Sequence, residues 1–330
     1  MRAMVLAAGL GTRLRPLTFE IPKPMVPVLD RPVMAHIVDL LDRHGIGEVV
    51  ANLHYFPHTI TDYFAGRLEY RYEEQLLGTA GGVRGCADFF GSETFLVISG
   101  DALTDIDLQA LMARHRDAGG IATLAVKRVP DTREFGVVLH DEHGRITGFQ
   151  EKPEPAEAKS DLGNCGIYVF EPEIFDHFPP GDPVDWANDV FPTLLARDVP
   201  FHIHEIGGYW NDVGSLEELR QGTFDALRGV LAIELGGEAI EPGLTLGEGS
   251  DLEGVAMLEP PVWVGRDVRL GAEVRLQGPV VIGDGAQIGA GASLRDVVVL
   301  PGTEVAGDAL VIGGIVGHAG IIDSLRPRGG

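Results

Sequence analysis

The first residues able to do chemistry lie in the opening stretch, MRAMVLAAGLGTRLRPLTFEIPKPMVPV. An apolar run over residues 4–8 leads directly into Gly9-Leu10-Gly11-Thr12-Arg13-Leu14, and Lys23 follows between Pro22 and Pro24. Glycines after a strand leave backbone N–H groups free to cradle phosphate oxygens. The Arg13 guanidinium is a planar fork suited to two phosphate oxygens, and flanking prolines stiffen the loop around the Lys23 ammonium. A dinucleotide fingerprint needs a third glycine where Leu14 stands, so nicotinamide chemistry is set aside. The 330 residues carry 26 Lys and Arg against 49 Asp and Glu, a formal charge of -23. Such a chain is unsuited to nucleic acid or an anionic membrane, and must gather its cations wherever it handles a phosphate.

Further motifs follow in order: Glu74-Gln75-Leu76-Leu77-Gly78-Thr79-Ala80-Gly81-Gly82, Gly100-Asp101, Phe135-Gly136-Val137-Val138, Glu151-Lys152-Pro153, Asn164-Cys165-Gly166 and Trp210-Asn211-Asp212-Val213-Gly214. With Gly9–Thr18 and Pro22-Lys23-Pro24, this series resembles the sugar-nucleotide pyrophosphorylases, nucleotidyltransferases that join a nucleoside triphosphate to a sugar 1-phosphate and release pyrophosphate. The resemblance covers about the first 225 residues and is most similar to the mannose-1-phosphate guanylyltransferases. It implies a catalytic set of Arg13, Lys23 and Asp101. It implies that Leu6, Ala7, Ala8, Gly9, Gly11, Thr12, Arg13, Gln75, Gly78, Thr79 and Asp101 bind nucleotide. It also implies that Gly136, Glu151, Lys152 and Asn164 bind the sugar phosphate, and that Asp101 and Asp212 hold Mg²⁺.

The implied chemistry is physically coherent. Attack of one phosphate on another sets anion against anion, so catalysis is mostly positioning and charge neutralisation. Carboxylates hold a hard cation that also grips phosphate. The Gln75 amide carries both a donor and an acceptor for a base edge, and Gly78 lets a base approach the backbone. The substrates expected are GTP and mannose 1-phosphate. The alternatives are uridylyl or thymidylyl transfer to a glucose-type phosphate, guanylylation of a heptose phosphate, or a regulatory subunit that binds sugar nucleotide without turnover. Cys86 and Cys165 are expected as buried, reduced thiols. His202 and His204 are read as a solvated strand face, and His318 as no acyl-transfer base.

The elements that must position these residues fall into two regimes. Up to about residue 230, short β-rich runs alternate with helical stretches, the rhythm of a Rossmann-like, mostly parallel α/β sheet with helices on both faces. Strands are expected over 3–7, 48–53, 94–99, 121–127, 165–170 and 201–205, a hairpin over 135–150, and helices over 33–44, 80–89, 108–117, 187–196 and 216–228. Asp107 is the expected N-cap of the helix at Leu108. From Ile240 an aliphatic residue recurs every sixth position through Leu246, Leu252, Leu258, Val264, Leu270, Leu276, Ile282, Ile288, Leu294 and Leu300. Small or branched residues, Val268 to Val298, stand four further on. A period of six fits a coil of three short faces, the signature of a left-handed parallel β-helix. The division expected is 1–230 for the nucleotidyltransferase domain and 231–330 for the β-helix, which assembles a homo-oligomer. No apolar run is long enough to span a bilayer and no secretory signal is evident, so a cytoplasmic location is expected. The tail 324–330 has no periodicity and is expected to fray.

Overall fold

The computed structural model describes residues 1–318 and 320–322; the expectation for the tail lies outside them. The first part of the chain forms a nine-stranded sheet. Its strands are β1 (Arg2–Leu6), β2 (Glu48–Leu53), β3 (Glu69–Tyr72), β4 (Phe95–Ser99), β5 (Ala122–Arg128), β6 (Gly136–His140), β7 (Ile146–Glu151), β8 (Leu162–Phe170) and β9 (His202–Glu205). The spatial order is β7-β6-β8-β4-β1-β2-β3, with β5 on β8 and β9 on β5. Pairings β1–β2, β1–β4, β2–β3 and β5–β9 are parallel. Only β7 and β8 run against the other strands. The sheet is therefore mostly parallel, as the alternating pattern implies.

Period-2 alternation divides the core. Along β1, Ala3 and Val5 face one cluster with Met34, Ile37 and Leu111, while Met4 faces the other with Phe90, Trp186 and Phe191. Helices α1 (Val33–Arg43) and α3 (Leu108–Ala118) supply the first layer. Gly45 at φ +76° follows the end of α1, and the Asp107 carboxylate caps α3 by accepting from Ala110 N. Two expected helices are less regular. The run over 80–89 splits into α2 (Gly78–Arg84) and a single turn, Ala87–Phe90, because Gly85 and Cys86 interrupt it. The run over 187–196 opens with a π turn, Trp186–Val190, before Phe191–Ala196.

From Leu244 the chain stacks parallel coils. Leu244 pairs with Val262, Val262 with Val280, and Leu276 with Leu294, each eighteen residues apart, or three hexapeptides per turn. This is the hexapeptide-repeat β-helix. Leu276, Ile282, Ile288 and Leu294 point inward and are at most 2% exposed. Two ends of the ladder depart from the six-residue reading. Ile240 lies on an antiparallel strand, Glu238–Glu241, and is 49% exposed, since no earlier coil exists to cover it. After Leu294 one residue drops out of the register, so Val280 pairs with Val297 and Ile282 with Val299. Val297 and Val299 consequently fill the interior, while Val298 and Leu300 turn outward against the first part of the chain.

Candidate active site

The loop after β1 folds back on itself. Gly11 has φ +61°, and a Cβ there would lie 2.8 Å from Lys23 Cβ, so the loop closes on Lys23 only with glycine. Thr18 Oγ1 donates to Gly11 O at 2.8 Å, and Tyr55 Oη donates to Thr18 O at 2.9 Å. Two 3₁₀ turns, Thr12–Leu14 and Lys23–Met25, hold the cations. The Lys23 ammonium is nearly buried and donates to Asp101 Oδ2 at 2.6 Å and to the backbone oxygen of Asp212 at 2.9 Å. Arg13 lies 3.5 Å from Asp212 Oδ2 and 3.5 Å from Glu134 Oε2. Residues 13, 23, 101 and 212, far apart in sequence, thus converge on one point.

Position in the sheet explains the convergence. Asp101 follows the C-terminal end of β4, and Gly100 must be glycine because a Cβ there would sit 2.8 Å from Val5 Cγ1. Open parallel sheets bind ligands at this edge. Burial pushes the Asp212 carboxyl above its usual range; Lys23 and Arg13 oppose that rise and Asp101 adds to it. Glu218, which the sequence reading missed, is raised by burial and then by Asp212. An atom added at Gly214 would meet Arg13 Nη1, Asp212 Oδ2 and Glu218 Oε2, all within 2.9 Å.

A cleft of about 380 Å³ opens along the same edge. Leu6, Ala7, Ala8, Gly9, Gly11, Thr12, Arg13, Lys23, Gly78, Thr79 and Asp101 all line it. The cleft also contains Asn52, Glu73, Leu76 and Ser99, none of them singled out from sequence. Ala7 N donates to Asn52 Oδ1 (2.9 Å), Asn52 Nδ2 to Glu73 Oε1 (2.7 Å), and Leu77 N to Glu73 Oε2 (3.0 Å). This buried relay ties the glycine loop to the segment before α2. Gly82 permits it, since a Cβ there would lie 2.6 Å from Glu73 Oε1. Gln75 is exposed and does not line the cleft; Leu76 does. Thr79 donates to Asp185 Oδ2 at 2.6 Å, which docks α2 on the π turn.

A family model described as nucleotidyl transferase matches residues 2–228, and one for the bacterial transferase hexapeptide (six repeats) matches residues 261–296. The chain belongs to the nucleotidyl transferase family. It is similar to a UTP–glucose-1-phosphate uridylyltransferase of Synechocystis, 38% identical over 75% of this chain and 69% of that one. It is also similar to a mannose-1-phosphate guanylyltransferase of Mycobacterium tuberculosis, 34% identical over 78% of this chain and 79% of that one. In fold it resembles a UDP-glucose pyrophosphorylase from Acinetobacter baumanii, with a TM-score of 0.60 at 22% identity, covering 69% of this chain and 92% of that one.

The sugar-side candidates of this nucleotidyl transferase lie on neighbouring strands, outside the lining of that cleft. Gly136 and Glu151 are register partners across β6 and β7. Glu151 and Lys152 are half-exposed and 3.8 Å apart. Asn164 is turned onto its own strand: it donates to Tyr168 Oη at 2.9 Å and accepts from Gly166 N at 3.1 Å. Phe135 packs on Trp210, 5.3 Å between ring centroids, and Trp210 Nε1 donates to Cys165 O. These contacts bring the strands of the sugar motifs beside the Asp212 segment. Both cysteines are buried and free, and burial pushes the Cys86 thiol up to about 12 and that of Cys165 upward as well. His202 and His204 are partly buried rather than solvated; burial first, then Arg114, lowers both. Among the described residues no group of three or more His, Cys, Asp and Glu could hold a metal, and no helix is long and apolar enough to cross a membrane.

The polar cleft residues share a signal that the sequence holds but motif matching does not expose. Asn52 and Ser99 lie at the C-terminal ends of β2 and β4, and Glu73 comes just after β3. Polar side chains ending parallel strands are candidates wherever β1 carries a phosphate loop.

Proposed function

We propose that this nucleotidyl transferase joins GTP to mannose 1-phosphate, giving GDP-mannose and pyrophosphate. The observation that carries the reaction class is the meeting of Lys23 with Asp101 and Asp212 beside the glycine-loop cleft, which Lys23 and Asp101 line. The sugar phosphate oxygen attacks the α-phosphorus in line, the bond to the β-phosphate oxygen breaks, and the leaving pyrophosphate takes the electron pair. Arg13 and Lys23 offset the charge that develops toward pyrophosphate. No general base is required, because a phosphate monoester is already an anionic nucleophile. Glu151, Lys152, Asn164 and the Gly136 N–H would orient the sugar phosphate.

Asp101 and Asp212 fit a hard divalent cation. Both are oxygen donors, and the Asp212 carboxyl is raised by burial and by Asp101, a strain that an added positive charge relieves. Mg²⁺ held there would neutralise phosphate oxygens.

Glu73 supports guanine as the base. Its carboxylate lines the cleft, and the lone pairs left over after it accepts from Asn52 and Leu77 would match the adjacent N1–H and N2–H donors of guanine. Uracil and thymine offer one N–H between two carbonyl oxygens, which a carboxylate repels. Uridylyl transfer to glucose 1-phosphate is the second reading, favoured by the Synechocystis relative. Pyrophosphate release with Mg²⁺, each common triphosphate and a panel of sugar 1-phosphates tests both. The GTP and mannose 1-phosphate pair should give the highest kcat/KM, and Asp101→Asn should lower turnover by about 10²-fold or more. Release with no pair would sink the enzymatic reading. We assign residues 1–230 to this chemistry and residues 231–330 to the β-helix, with homo-oligomer assembly as one role for the latter.

A further inference from the structure

Hexapeptide coils present three outer faces, and in this β-helix they differ sharply. On one face the outward column Arg269, Gln287, Glu304 is exposed. On another, Arg275, Ser293 and Leu310 carry no continuous apolar stripe. The third column is Trp263, Val281, Val298 and Ile315, stacked in register over successive coils. Each of the four is at most 3% exposed although it points away from the coil interior. They share one contiguous core with Leu14, Val26, Leu103 and Val213. Those residues lie next to, or within three positions of, Arg13, Lys23, Asp101 and Asp212.

The backbone at Val213 shows what this core must hold. Val213 has φ +46°, a left-handed conformation that a β-branched residue adopts only when its surroundings over-determine it. Its side chain is fully buried in the shared core, and its N–H donates to Asn211 Oδ1 at 2.7 Å. The turn so held presents the Asp212 carboxylate to Arg13 and the Asp212 carbonyl to Lys23. Helix α4 (Leu216–Leu227) packs against the coil strands Val274–Ile282 and Ser293–Val299, and Arg220 Nη1 donates to Asp296 O at 3.2 Å. The β-helix thus shares one core with the turn and packs on the helix that follows it.

We propose that Trp263, Val281, Val298 and Ile315 are positioning residues for the reaction: the outer ladder of the β-helix holds the Asp212 turn and the Arg13 loop in their working geometry. The proposal rests on Arg13, Lys23, Asp101 and Asp212 being the catalytic set. It makes the β-helix part of the active-site foundation as well as an assembly module.

Neighbouring valines provide a matched control. Val280 and Val297 stand beside Val281 and Val298, are fully buried, and point into the coil instead of the seam. Val281→Ala and Val298→Ala in the full chain should lower kcat about tenfold or more at temperatures well below unfolding, since small misplacements of reacting groups are costly. Val280→Ala and Val297→Ala should lower Tm at least as much yet keep kcat within about twofold. The conservative Val298→Ile, which refills the seam, should retain most of the turnover. Backbone amide exchange supplies a readout independent of substrate. The seam variants should speed exchange in segments 9–25 and 210–215, whereas the interior variants should confine it to the coils. Equal effects of both pairs on exchange in those two segments would overturn the proposal, even if no substrate pair turned over. Faster exchange with unchanged kcat in an active enzyme would overturn it too.

Discussion

At the scale of single residues, Lys23 is the junction of the site. Its ammonium is nearly out of water and is held by the Asp101 carboxylate and the Asp212 carbonyl. Arg13 stands in a more open position, 43% exposed, beside Asp212 and Glu134. Glu73 is the residue proposed to set base choice. Glu73→Gln keeps the side-chain shape and one acceptor but replaces the other carboxylate oxygen with an N–H donor. The ratio of kcat/KM for GTP to that for UTP should fall by about tenfold or more, the usual scale for an unpaired polar group in a binding site. An unchanged ratio would remove Glu73 from the base-reading role and leave it to structure, bridging Asn52 and Leu77.

At the scale of elements, strands and coils show how far periodicity carries. Short β-rich apolar runs located nearly every strand of the sheet within a few residues, because strands covered on both faces are apolar almost throughout. The six-residue ladder failed where the coil ends or loses a residue. Ile240 and Ile288 hold equivalent places in the sequence pattern, yet one is 49% and the other 2% exposed. Ile288→Ala should therefore cost about 2–5 kcal/mol in chemical denaturation. Ile240→Ala should stay within about 0.5 kcal/mol of the parent. Similar losses at both positions would contradict the placement of the first coil.

At the scale of the whole molecule, the two regimes share a core, so stability and chemistry are coupled across the seam. Buried histidines add a pH dependence. His36 Nε2 donates to Val28 O at 3.1 Å, and His115 lies between Thr123 Oγ1 and Glu171 Oε1. Burial is the largest cause that lowers both below the ordinary 6.5. The unfolded chain binds these protons first, so their contribution is held above pH 6.5 and lost as the pH falls below it. Asp212 and Glu218, raised by burial, act with the opposite sign. Urea midpoints should drop between pH 7.5 and pH 5.5, and His115→Gln should flatten that drop. A parent midpoint equal at both values would refute this account.

What the sequence determined by itself was the chemistry's vocabulary: the glycine loop with Arg13 and Lys23, the aspartate after a strand, the α/β rhythm and the six-residue coil. Each is local, set by spacing, propensity and charge within a few residues. The tertiary structure alone decided that Lys23 bridges Asp101 and Asp212, that Glu73 and Leu76 face the cleft while Gln75 stands outside it, and that the ladder shifts by one at Val297. It also decided that one outer column of the β-helix is buried in a core shared with the segments that carry Arg13, Lys23, Asp101 and Asp212. These depend on which surfaces meet across long stretches of chain, and burial, the term that selects such pairings, has no signature in any one segment.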